Sequence, residues 1–202
     1  MEALKRTRLA WSVAGRARAG ETESGDRCVV TEQTDGALLA VADGLGHGTE
    51  AALAADLAVR TVERYAADPL IEIVKRCHQS LLRTRGVALS LARWEARDRL
   101  LTWIGVGNVE GLLLHSNGGR APASDRLLLR SGVVGVRLPA LLVAPVVVTG
   151  TGLLALATDG IADGFDKELV LSGRPEPMAD QILARHSRSA DDAMVLVARL
   201  EG

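Results

Sequence analysis

At 202 residues the chain is the size of one domain with a sizeable core, and 24 basic against 25 acidic residues leave a net charge of −1. That balance excludes an electrostatic grip on nucleic acid or on an anionic membrane, and an aromatic content of 2% excludes a base-stacking surface. The start, MEALKRTRLAW, has no signal-peptide core, and the longest apolar stretch, Leu138 to Val148, is broken by Pro139 and Pro145, so the expectation is a soluble, cytoplasmic protein.

Thr7 to Arg18 and Arg27 to Gln33 read as extended segments. Asp35-Gly36 then turns the chain into Ala37 to Ala42, which closes a hairpin. From Thr49 to Ala67 the pattern becomes helical, with Leu53, Leu57, Val59 and Val62 near 3.6 spacing and Thr49 able to cap. Pro69 suits the first turn of a second helix to about Arg85, with Ile71, Val74, Leu81 and Leu82 toward the core. Short strands follow: Val87 to Trp94, Leu100 to Val106, and Val109 to His115 before an Asn117-Gly118-Gly119 turn. Further candidates are Arg126 to Arg130, Leu142 to Val148 and Leu153 to Ala157; a helix over Met178 to His186 precedes a last strand, AMVLVARL. About ten strands with two central helices and a late one predict an α+β sandwich in a single domain, residues 1–202, because a doubly wound fold would alternate strand and helix throughout. Cys28 and Cys77 lack CxxC spacing and read as reduced, buried thiols.

Three places carry acids at strand ends. Asp43 leaves an apolar strand into the glycine-rich loop of VADGLGHG, Asp159 does the same in LLALATDGIADG, and Asp191-Asp192 directly precede AMVLVARL. Aspartates gathered from distant strand ends are what a hard cation such as Mg²⁺ or Mn²⁺ requires, since these ions prefer oxygen ligands.

VADGLGHG, ATDGI and DDAMVLVAR, in this order and preceded by SGD (Ser24 to Asp26), resemble the metal-dependent PPM-type serine/threonine phosphatases, most closely their bacterial SpoIIE-like branch. The resemblance spans Arg8 to Leu200, and it is strongest to the stress-response members that are bare catalytic domains. It implies two packed, mostly antiparallel β-sheets flanked by α-helices (an αββα sandwich), and two Mn²⁺ or Mg²⁺ ions about 4 Å apart that activate a water. Residue by residue, Asp43 matches the carboxylate bridging both metals, Gly44 the carbonyl ligand beside it, and Asp159 the ligand of the second metal; Asp43 and Asp159 carry the catalytic role. Asp191 matches the C-terminal ligand, Asp192 joins the metal group as an outer acid, and Asp26 matches an early acid acting through bound water. His47 is a candidate general acid or a loop-structuring residue, and Asp163 a cap or a site-lining residue.

Two departures stand out. Eukaryotic members place a phosphate-gripping arginine just before the early acid, and Glu21 to Ser24 contains none, which leaves the metals or a more distant Arg16 or Arg18. No room exists for a long flap between Gly132 and Pro145, so the site is expected to be open and suited to a folded protein substrate. The resemblance implies phosphorylated STAS-domain proteins of a stress-signalling complex, the stressosome, as partners. The rival readings are a non-catalytic phosphatase-fold binding module and a metal-dependent hydrolase of small phosphoesters.

Overall fold

The computed structural model describes residues 9–117 and 120–201. One sheet runs in the order β1 (Ala10–Arg16), β11 (Ala193–Leu200), β10 (Gly152–Ala157), β6 (Glu110–Asn117) and β7 (Arg120–Arg126). The other runs β2 (Asp26–Gln33), β3 (Gly36–Gly44), β4 (Val87–Glu95), β5 (Leu100–Val106) and β8 (Leu129–Arg130), with β9 (Ala144–Val147) also paired to β5. Among the described residues every strand pairing is antiparallel except β5 with β8.

Alternation along the strands builds three apolar layers. Leu39 and Val41 of β3, Trp94, Trp103, Leu154 and Leu196 fill the space between the sheets. Their neighbours on the opposite face, Leu38, Ala40 and Ala42, pack under α1 (Thr49–Arg64) and α2 (Leu70–Ser80). On the outer face of the first sheet Val195 and Val197 meet α3 (Pro175–His186) through Met178, Ala179 and Ile182. The result is the expected αββα sandwich. No helix among the described residues is long and apolar enough to cross a membrane.

Several local expectations are corrected. Helix α1 buries its alanines (Ala51, Ala52, Ala54, Ala55, Ala58) with Val59 and Val62, while Leu53 and Leu57 stay exposed. The reason is close approach: a Cβ on Gly44 would lie 2.1 Å from the Ala51 carbonyl oxygen, so only small side chains fit beneath this end of the helix. In α2 the buried set is Leu70, Ile73, Val74 and Cys77, followed by Leu81 just past its end, while Leu82 is exposed. Among the described residues no side chain caps α1, and Thr49 is already its first helical residue after Gly48. The expected strand Arg126 to Arg130 is two pieces, the end of β7 and the short β8; β7 (RAPASDR) escaped notice because an edge strand paired on one side only tolerates Pro122 and polar residues. Thr7, Arg8, Gly118 and Gly119 lie outside the described residues. Burial raises both thiols, Cys77 to about 12, so neither is a reactive thiolate.

Candidate active site

Four strand ends converge at one end of the sandwich, two from each sheet. Asp26 opens β2 and is the register partner of Asp43 near the end of β3. Asp159 follows β10, and Asp191-Asp192 precede β11, the strand that lies beside β10. A Cβ on Gly160 would lie 1.8 Å from the Asp192 carbonyl oxygen, so the Asp-Gly turn after β10 can touch the Asp-Asp pair only with glycine there.

A cleft of ≈ 280 Å³ forms at this end, lined by Asp43, Asp159 and Asp191 together with Arg18, His47 and Asn108. Asp26 lies beneath it, 1% exposed, and accepts a 2.8 Å hydrogen bond from the Thr158 hydroxyl. Asp159 accepts a 2.6 Å hydrogen bond from the Asn108 amide, and Asp191 accepts one of 2.9 Å from the Asp192 backbone N–H. The Asp43 carboxylate has no hydrogen-bond donor among the described residues.

The acids disfavour one another's ionised forms. Burial first, then the Asp26, Asp159, Asp191 and Asp192 carboxylates, push the Asp43 carboxyl up to about 8. Burial pushes Asp26 up to about 7; the Thr158 hydrogen bond opposes this, and Asp192, Asp159 and Asp191 add to it. Burial and Asp191 raise Asp159 against the lowering effects of Asn108 and Arg188. Among the described residues no group of three or more His, Cys, Asp or Glu side chains is already arranged to hold a metal ion. The donor set nevertheless fits a hard cation: it is all oxygen, it includes a half-buried carboxylate with no donor, and its mutual repulsion is what bound positive charge relieves.

Asp192, expected as the outer acid of the metal group, clamps the backbone around the site. It is buried, and its two oxygens each accept a 2.8 Å hydrogen bond, one from the Arg18 backbone N–H and one from the Gly25 backbone N–H. His47 lines the cleft and lies 2.8 Å from Glu21, an acid the sequence did not single out. Asp163 is exposed and borders an adjoining cavity of ≈ 340 Å³ that shares Asn108 and Asp159 with the acid cleft. Thr158 and Asn108 were also missed as site residues, although Thr158 stands inside ATDGI and Asn108 directly precedes the expected strand Val109 to His115. A larger cleft, ≈ 700 Å³ along α1 and α2, is lined by none of these acids.

The sequence matches the family Stage II sporulation protein E (SpoIIE) over residues 33–201. Phosphoserine phosphatase RsbX of Bacillus subtilis (strain 168) is 32% identical over 104 residues, a stretch covering 52% of this chain and 52% of that protein, so the match spans about half the length of this curated relative. A solved structure from work on the bacterial stressosome, as a modular system adapted to control secondary messenger signalling, superposes with TM-score 0.87 at 32% identity, covering 95% of this chain and 99% of that one. A crystal structure of RsbX in complex with magnesium gives TM-score 0.85 at 24% identity, with 98% of each chain covered. The PP2C phosphatase domain of SpoIIE from Bacillus subtilis, with a fragment of its regulatory domain, gives 0.77 at 20% identity, covering 96% of this chain and 64% of that one.

Proposed function

The chain belongs to the SpoIIE family, and from that premise we propose that it is a metal-dependent protein phosphatase, a single catalytic domain that hydrolyses phosphoserine or phosphothreonine on a signalling protein. The observation that carries this reading is the convergence of Asp26, Asp43, Asp159 and Asp191 from both sheets on one cleft, with Asp43 and Asp26 pushed to about 8 and about 7.

Asp43, Asp159, Asp191 and the Gly44 carbonyl would hold Mn²⁺ or Mg²⁺, as two ions, and Asp26 would act through bound water. Such ions supply a water of lowered pKa and neutralise phosphoryl oxygens. The protein's own residues prepare the site. Asn108 holds one oxygen of Asp159 and leaves the other free to ligate. Thr158 does the same for Asp26, and the Asp192 backbone N–H for Asp191. The Asp192 carboxylate ties the Arg18 and Gly25 backbones to the start of β11, which fixes the loop that delivers Asp26.

The likeness to RsbX and to a structure from stressosome work supports a phosphorylated STAS-domain protein of a stressosome as substrate. A cleft of only ≈ 280 Å³ accommodates a phosphoryl group and one side chain, so most recognition would fall on the surrounding protein surface. Turnover of an aryl phosphate and of a phosphoserine-bearing STAS domain, each with Mn²⁺, tests the reading. Hydrolysis of both, far more efficient on the protein, is expected; binding of the phosphoprotein with no turnover of either would identify a binding module instead.

A further inference from the structure

A phosphate monoester entering a cleft walled by carboxylates needs positive charge from the protein as well as from bound cations, and the arginines around the cleft differ in what they have left to give. Arg16 is engaged through all three of its nitrogens: Nε donates to the Ser187 hydroxyl at 3.1 Å, Nη1 to the Ala17 carbonyl at 3.3 Å and Nη2 to the Arg188 carbonyl at 2.5 Å. Arg27 donates to the Ser24 and Asp26 carbonyls and to Glu23. Arg188 donates to the Asp159 carbonyl at 3.1 Å and lines the adjoining cavity.

Arg18 is different. It lines the acid cleft itself, beside Asp43, Asp159 and Asp191, and its guanidinium has no hydrogen bond or ion pair among the described residues. Its backbone is held in place: the N–H donates to one oxygen of the buried Asp192 carboxylate, whose other oxygen holds Gly25, the residue before Asp26. One carboxylate therefore indexes Arg18 to the acids across a long stretch of sequence.

We propose that Arg18 is the phosphate-binding residue of this site, its guanidinium fork taking two oxygens of the substrate phosphoryl group. A planar fork matches phosphate in a way that an ammonium does not. The inference rests on the phosphatase reading and adds to it the protein group that recognises the phosphate.

The test measures KM for a phosphoserine protein and the inhibition constant of inorganic phosphate, with Mn²⁺ present, in the full chain. Arg18→Ala is expected to raise both by about 10- to 100-fold, the range for a charge-assisted hydrogen-bonded pair. Arg18→Lys should recover only part of the loss. Arg60→Ala, which removes an equal charge on exposed α1, controls for general electrostatics. An unchanged inhibition constant in Arg18→Ala, or a loss carried by Arg188→Ala instead, would overturn the assignment while leaving the phosphatase reading intact. A wild-type protein that neither turns over the substrate nor is inhibited by phosphate would overturn both. Unchanged thermal unfolding of Arg18→Ala, with raised inhibition constants, separates phosphate binding from a folding defect.

Discussion

Replacing Asp43 with Asn should stabilise the metal-free protein at alkaline pH while it abolishes turnover. The Asp43 carboxyl rises from 3.8 to about 8 through burial and neighbouring acids, so the folded state holds its proton more tightly than the unfolded chain does. The stability this contributes is complete below the unfolded value and is lost as pH climbs through about 8. At about 1.4 kcal/mol per unit of pKa the full loss is capped near ~6 kcal/mol, and screening at a half-buried carboxylate brings it to about 3 kcal/mol. Asn has similar shape and no charge, so at pH ~8.5 in chelator Asp43→Asn should be about 3 kcal/mol more stable than wild type, falling to about 1 kcal/mol near pH 5.5. In thermal unfolding of a domain this size, the alkaline difference corresponds to roughly 6–12 °C. Urea and thermal unfolding at both pH values, with excess chelator, measure it. Equal or lower stability of the variant at the alkaline pH would refute the picture of an acid held at the cost of fold stability.

Asp192→Asn keeps one acceptor for the Arg18 and Gly25 N–H pair and loses the other, so it should destabilise by about 1–3 kcal/mol in chemical unfolding. Its effect on turnover should be far smaller than that of Asp43→Asn; a larger one would mark Asp192 as a direct metal ligand. Asn108→Ala frees the Asp159 oxygen it holds and should weaken Mn²⁺ affinity about 10- to 100-fold by titration calorimetry, with activity recovered at high Mn²⁺. A folded phospho-STAS domain should be processed with much higher kcat/KM than a phosphopeptide of the same local sequence, because remote contacts hold the phosphoryl group in line. Equal efficiencies in a steady-state comparison would show that recognition is local.

The sandwich and its acids were legible because each signal was local. An apolar run that ends in Asp-Gly marks both a strand and its exit, and Asp43 and Asp159 each stand at such an end. Which face of α1 lies inward was not legible, because leucine and alanine alternate along it and both are apolar. The choice is made by the approach of Gly44 to the Ala51 carbonyl, a contact that admits alanine and turns Leu53 and Leu57 outward. The supports of the site were hidden for a similar reason. Thr158 bonds Asp26 and the Asp192 carboxylate bonds Arg18 across most of the chain, so no spacing rule finds them. The same holds for Glu21 at His47, where an ordinary acidic loop in sequence becomes a hydrogen-bond partner at the cleft rim.

The most direct measurement is the intact mass of a phosphorylated STAS-domain protein incubated with the chain, in excess chelator, after Mn²⁺ or Mg²⁺ is restored, and with Asp43→Asn in place of wild type. Loss of the phosphate only with wild-type protein and added metal is the predicted result. Full dephosphorylation in chelator, or undiminished dephosphorylation by Asp43→Asn, would contradict the claim that these strand-end aspartates form a metal-dependent phosphatase site.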